Sequence, residues 1–204
     1  LDVFPEAKIT IEHSMSKGLF GEIHKNTPLC EEDIKKIKTR MQELINKDLP
    51  IEKISVKKEE AIKIFSGYKM DDKVRLLKYV NTDKVKLYNL DGRYDYFYGS
   101  MAYSTGIFKV FDLIYYEPGF LLRYPTEADP FNISKLVEHK KLRKIFYETE
   151  QWGNILGVGD VGSLNNKVEN GEIVDIIRVA EALHEKKIAY IADMISERQN
   201  VKII

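Results

Sequence analysis

Val85-Lys86-Leu87-Tyr88-Asn89-Leu90-Asp91-Gly92-Arg93-Tyr94-Asp95-Tyr96-Phe97-Tyr98 reads as two extended runs, 85–90 and 95–98, on either side of an Asp-Gly pair. Both central residues of a type I′ turn need φ > 0, so Asp-Gly between two such runs predicts a tight antiparallel hairpin. Ten of the 12 Tyr residues fall between Tyr68 and Tyr124, mixed with Val, Ile and Phe, which is strand composition. Residues 108–116 and 120–124 continue the pattern, punctuated by Gly99, Gly106 and Pro118-Gly119. The reading is an α+β fold, an antiparallel sheet with helices on one face.

Outward from the sheet the period changes. Residues 27–46 predict an amphipathic helix, with Glu31, Glu32 and Asp33 in its first turn and Ile34, Ile37, Met41, Leu44 and Ile45 on one side. Residues 50–56 read as an extended link. Residues 57–65 and 71–79 read as short helices, with Gly67 a stop. A linker over 125–130 leads into a predicted helix over 134–150, a loop-rich stretch over 152–171 and a long helix from Glu172 to about Arg198. That last segment shows a wide apolar face (Ile173, Ile176, Ile177, Ala180, Leu183, Ile188, Ile191, Ile195). Val201-Lys202-Ile203-Ile204 reads as the opening strand of a further, parallel α/β domain. The expected organisation is 1–125 as the α+β domain, 126–171 as a connector, and 172–204 as a helical extension leading into that domain.

Composition bounds the function classes. The 32 basic residues balance 32 acidic ones, and a chain devoted to gripping phosphate backbones carries a basic excess. Between Val85 and Tyr124, four cations (Lys86, Arg93, Lys109, Arg123) face four carboxylates (Asp91, Asp95, Asp112, Glu117), which disfavours an aromatic platform for nucleic acid. The single Cys30 cannot form an internal disulfide and fits a reducing compartment. No apolar run reaches the roughly 20 residues a membrane helix needs, and residues 1–6 lack a basic n-region, so membrane association is not expected and a cytoplasmic location is. The chain opens on Leu1 rather than Met, which reads as a cut or processing boundary.

Chemistry-bearing residues are few. Gly157-Val158-Gly159-Asp160-Val161-Gly162 satisfies G-x-G-x-x-G, but no strand feeds it and the remaining chain is too short for a nucleotide fold. Its glycines read as a loop needing positive φ. His13, His24, His139 and His184 show no metal-ligand spacing, and His13-Ser14 lacks a third member for a triad. Lys17-Gly18 could present an ammonium and N–H groups to an anion, or be a charged turn between two strands. Arg123, at the end of an apolar strand, could take a carboxylate or phosphate, or pair with Asp95 or Asp112.

The loop Tyr94-Asp95-Tyr96-Phe97-Tyr98-Gly99-Ser100-Met101-Ala102-Tyr103-Ser104-Thr105-Gly106 resembles the Asp-Leu-Cys-Arg-Gly-Pro-His-x-Pro-Ser-Thr-Gly signature of the threonyl-tRNA synthetase editing-type domain. In register, Asp95, Gly99, Ser104, Thr105 and Gly106 match. Phe97 stands where that family has Cys, and Met101 where it has His. Neither replaces a thiolate or imidazole on a cation, so the resemblance implies a frame without its hydrolytic chemistry, with no catalytic residue and no metal. The family's upstream H-x-x-x-H pair has no counterpart in these residues.

Residues 11–23 (Ile-Glu-His-Ser-Met-Ser-Lys-Gly-Leu-Phe-Gly-Glu-Ile) and 177–188 (Ile-Arg-Val-Ala-Glu-Ala-Leu-His-Glu-Lys-Lys-Ile) are similar to bacterial uridine kinase-like proteins, as are Asp95–Gly99, Pro118–Phe120 and Trp152–Val158. In that family a synthetase-like accessory region precedes a P-loop kinase domain. No G-x-x-x-x-G-K-[ST] occurs here, so the resemblance implies that ATP and Mg²⁺ belong to a kinase domain beyond Ile204, the region's own partner, and that this segment needs no cofactor. It implies a surviving cleft for a small polar ligand or nucleoside between residues 13–22 and 94–105. The candidate ligand contacts are His13, Lys17, Asp95, Tyr98, Ser104, Thr105 and Arg123.

Overall fold

The computed structural model describes residues 2–138 and 140–198. The expected strand at 201–204 and the helical placement of His139 lie outside those residues. In chain order the elements are β1 (Lys8–Met15), β2 (Gly18–His24), α1 (Glu31–Asn46), β3 (Ile51–Lys57), α2 (Lys58–Gly67), α3 (Asp71–Lys78), β4 (Lys84–Leu90), β5 (Arg93–Asp95), β6 (Asp112–Tyr116), β7 (Gly119–Arg123), α4 (Lys140–Ile155), α5 (Val161–Glu169) and α6 (Ile173–Glu197). The architecture is α+β, and every strand pairing is antiparallel. They group into two compact units, Leu1–Lys57 with Lys84–Arg143, and Lys58–Asp83 with Lys144–Ile204.

The first unit holds two sheets rather than one. A four-stranded sheet runs β1-β2-β7-β6 and a three-stranded sheet runs β3-β4-β5. The tyrosine-rich stretch is therefore divided between them. Asp91 (φ 50) and Gly92 (φ 80) make the expected hairpin, with Leu90 opposite Arg93, but its second strand is Arg93–Asp95 rather than 95–98, of which 96–98 leave the sheet as loop. Ser16 (φ 50) and Lys17 (φ 59) make a second two-residue turn between β1 and β2, so Lys17-Gly18 lies in a charged turn joining two strands. A Cβ on Gly18 would lie 2.5 Å from the Leu122 carbonyl oxygen, so the close approach this glycine permits is that of β7.

The helix α1 covers one face of the four-stranded sheet. Leu29, Ile34, Leu113 and Phe120 form its buried centre, with Ile23, Ile37, Met41, Tyr115 and Leu122 packed around them. The helix begins four residues later than its periodicity predicts, because Pro28 precedes it and Cys30 takes the N-cap position, where the Asp33 carboxylate reaches back to the Cys30 N–H at 3.3 Å. Lys25 lies 3.0 Å from that carboxylate and is the main reason it sits below the usual range. Residues 50–56 are not a link but strand β3, paired with β4 along its whole length. Its Glu52, Lys53 and Lys57 hide the alternation, since an edge strand tolerates charge.

In the second unit α3 packs against α2 and α5, with Ala61, Phe65 and Leu77 fully buried. The helix expected from Ser134 starts at Lys140 and runs on to Ile155, and the stretch read as loop-rich contains α5. Its glycines explain the misreading. Gly157 (φ 68) ends α4, with the Val158 N–H donating to Gly153 O and the Gly157 N–H to Asn154 O. Asp160 caps α5 through the Ser163 N–H at 2.8 Å and pairs with Arg75 at 2.7 Å. A Cβ on Gly162 would lie 2.6 Å from that of Arg75. The G-x-G-x-x-G run thus joins helix to helix, and a carboxylate occupies the helix N-terminus where a phosphate would sit. The apolar face expected on α6 exists, but none of its described residues is buried.

Candidate functional site

Asp95 closes β5 opposite Tyr88, and its carboxylate accepts the following Tyr96 N–H at 2.7 Å. The chain then leaves the sheet as the loop carrying Phe97, Tyr98 and Met101. One side chain organises it. The Tyr88 hydroxyl, from the central strand, donates to Gly99 O at 2.8 Å and accepts the Met101 N–H at 3.2 Å. The Phe97 ring lies 6.3 Å from the Tyr88 ring, and Lys53 Nζ sits 5.2 Å from the Tyr88 centroid. Lys53 chiefly, with the Met101 N–H and Lys86, draws the Tyr88 phenol below the ordinary tyrosine range against the opposing effect of burial. Tyr88 escapes a sequence reading because nothing separates it from the other tyrosines of the sheet.

The second half of the loop is an anchor. Thr105 is buried, with Oγ1 donating to Leu44 O at 2.7 Å and accepting the Leu49 N–H at 2.9 Å, while its own N–H donates to Leu49 O. Leu44 O is one of the last carbonyls of α1, which lack partners within the helix. The Gly106 N–H donates to Asp48 Oδ1 at 2.9 Å, and a Cβ on Gly106 would lie 2.2 Å from that oxygen. The Ser104 hydroxyl and this N–H hold the Asp48 carboxyl below its usual range. Of the matched end of the signature, Thr105 and Gly106 therefore bind the loop to the end of α1, and Ser104, bridged to Pro50, lies beside Asp48 with a buried hydroxyl outside hydrogen-bond geometry.

The remaining candidates lie in the other sheet. His13 follows a β-bulge in β1, its ring 5.2 Å from that of Phe20, and burial pushes its pKa down against Glu12. Lys17 is exposed in the β1–β2 turn. Arg123 ends β7 opposite both Gly18 and Asp112, lies 3.6 Å from the Asp112 carboxylate and donates to Ser134 O. So Arg123 pairs with Asp112. The structure thus brings His13, Lys17 and Arg123 onto one sheet, and Asp95, Tyr98, Ser104 and Thr105 onto the loop following the other. Tyr98 is 81 % exposed.

Sequence reasoning missed Glu22. It sits on β2 across from Thr10, with Oε2 3.7 Å from His24 Nε2 and a buried Oε1 that finds no hydrogen bond. Burial raises its pKa, His24 lowers it and Glu12 adds to the rise. A carboxyl whose folded pKa lies above its unfolded value stabilises the fold below the unfolded value, and that contribution is lost as pH climbs through the folded one. Glu22→Gln is accordingly expected to melt above the parent at pH 7 and level with it below the ordinary value of 4.5, as thermal melts across that range would read.

Among the described residues no group of three His, Cys, Asp or Glu side chains could hold a metal ion, and no helix is long and apolar enough to cross a membrane. No family model matches the chain. It is 36 % identical over 114 residues to the threonine–tRNA ligase of Paraburkholderia xenovorans, and that stretch is 55 % of this chain and 18 % of the relative. The threonine–tRNA ligases of Burkholderia vietnamiensis and of a Geobacter species are each 34 % identical over 114 and 111 residues, again 18 % of their length. The chain thus spans under one fifth of these curated relatives, and it carries a threonyl-tRNA synthetase-like domain whose α+β, antiparallel architecture fits the editing-type fold.

Proposed function

We propose that this chain is an editing-type domain that has lost hydrolysis and keeps a binding role, serving a larger enzyme as an accessory region. The observation that carries the reading is the loop itself. Its anchor (Ser104, Thr105, Gly106) and its Asp95 are in place, while Phe97 and Met101 occupy the positions where water activation needs a thiolate and an imidazole. A ligand there would rely on hydroxyls and backbone groups, each contributing on the order of 1 kcal/mol, so its affinity is modest.

The finer reading makes the larger enzyme a nucleoside kinase. ATP and Mg²⁺ would then act in a domain after Ile204, with this region sensing or presenting the nucleoside. Residues 11–23 and 177–188 support it, and its support is from sequence resemblance alone. The relatives' names favour a second reading, in which the region removes misattached amino acids from tRNA or holds RNA without chemistry.

Thermal-shift screening of unphosphorylated nucleosides and of amino acids tests the binding role. A melting rise that shrinks in Lys17→Ala, a substitution in an exposed turn, is the expected result. If no compound shifts the melt, the region only positions its neighbour.

A further inference from the structure

The charge balance counted along the chain does not hold on the surface of the three-stranded sheet. Side chains two apart share a face, and the register sets Lys53 opposite Tyr88, Ser55 opposite Lys86, Lys57 opposite Lys84, Leu90 opposite Arg93 and Tyr88 opposite Asp95. One face therefore collects Lys53, Lys57, Lys84, Lys86 and Arg93 against the single carboxylate of Asp95. All five cations are exposed, whereas Val85 and Leu87, on the opposite face, are buried. Three of them, Lys53, Lys57 and Lys84, come from outside the stretch 85–124, and only strand pairing assembles them. The protein as a whole is neutral, so this is a local concentration of charge.

One end of the face is walled. The loop after β5 crosses it at Tyr88, whose hydroxyl holds Gly99 and Met101, and reaches the outer edge of β3, where the Ile51 N–H donates to Tyr103 O at 2.9 Å. From Tyr88 to Lys84 the open strand runs about 13 Å. The wall presents aromatic rings: Phe97 is 41 % exposed, and Tyr98 stands 81 % exposed with its ring 5.3 Å from that of Tyr96.

We propose that this face binds a free nucleotide, a nucleoside triphosphate whose base stacks on Tyr98 and Phe97 while its phosphates run over Lys53, Lys86, Lys84 and Lys57. The four lysines along the open face carry +4, which matches the charge of a triphosphate near neutral pH. The wall at Tyr88 suits a short ligand, because a continuing strand would meet the loop. Aromatic faces stack any base, so the site selects the phosphorylated class more than the base. The inference goes beyond the binding role proposed above, which concerns unphosphorylated ligands, and it shares only the loop rings of Phe97 and Tyr98 with that role.

The test is isothermal titration of the whole chain with ATP, CTP, GTP and UTP, with inorganic tripolyphosphate, and with a short single-stranded oligonucleotide. At least one nucleoside triphosphate is expected to bind more tightly than tripolyphosphate and to weaken as salt rises. Lys53→Ala with Lys86→Ala should reduce that affinity tenfold or more. Lys86→Glu alone, which leaves the Lys53–Tyr88 stack untouched, should do the same with an unchanged melting temperature. Tyr98→Ala should weaken the nucleotide and leave tripolyphosphate unchanged. Any one of four results overturns the proposal: no nucleotide binds, the lysine variants bind like the parent, tripolyphosphate equals the nucleotides, or the oligonucleotide binds more tightly than all of them. None of these readouts involves tRNA deacylation or nucleoside binding, so the two proposals fail separately.

Discussion

Thr105→Val is expected to destabilise the protein by about 2–4 kcal/mol although it removes no volume. The hydroxyl both donates to Leu44 O and accepts the Leu49 N–H, and valine leaves those two groups without that hydroxyl in a buried position. Each buried group stripped of its partner costs about 1–3 kcal/mol, and because both partners are only part-buried the expected loss lies in the lower part of the summed range. Urea unfolding of the two proteins checks it. A loss below 1 kcal/mol would mean that Thr105 is free to serve a ligand instead of the fold. Thr105→Ser, which keeps the hydroxyl, should recover most of the difference.

Gly119→Ala should cost about 3 kcal/mol or more, near the top of what forcing an atom into a packed site produces. A Cβ there would lie 2.0 Å from the Gly21 carbonyl oxygen, and that atom belongs to the neighbouring strand rather than to a side chain that can swing away. The strands β2 and β7 would have to part along Gly18–Gly21, the pairing that joins the two hairpins of the four-stranded sheet. Circular dichroism melts and amide exchange at Leu19 and Phe20 read the effect. Gly99→Ala is the control, since no atom lies within 4 Å of a Cβ at Gly99.

What the sequence made legible follows from how local each signal is. The Asp91-Gly92 turn and the buried stripe of α1 depend on residues within a few positions of each other, and both stand as read. The existence of two sheets depends on β7 returning to β2 and β3 returning to β4, pairings across about 100 and 35 residues that no local pattern encodes. Charge on an edge strand hid β3, and cap glycines hid α5. The same distance hid the basic face, because Lys53 and Lys57 meet Tyr88 and Lys84 only through that pairing. The loop's matched residues were visible. Their division into a site half at Asp95–Met101 and an anchor half at Ser104–Gly106 needed the Leu44, Asp48 and Leu49 partners, which lie some 56 to 61 positions away.

The most direct measurement is deacylation of Ser-tRNA by the purified whole chain, followed beside the uncatalysed rate. With Phe97 and Met101 where the thiolate and imidazole would stand, hydrolysis at the uncatalysed rate is the predicted result. Sustained turnover that co-purifies with the chain and is lost in Asp95→Asn would contradict the account, because the loop would then catalyse without the groups its chemistry requires.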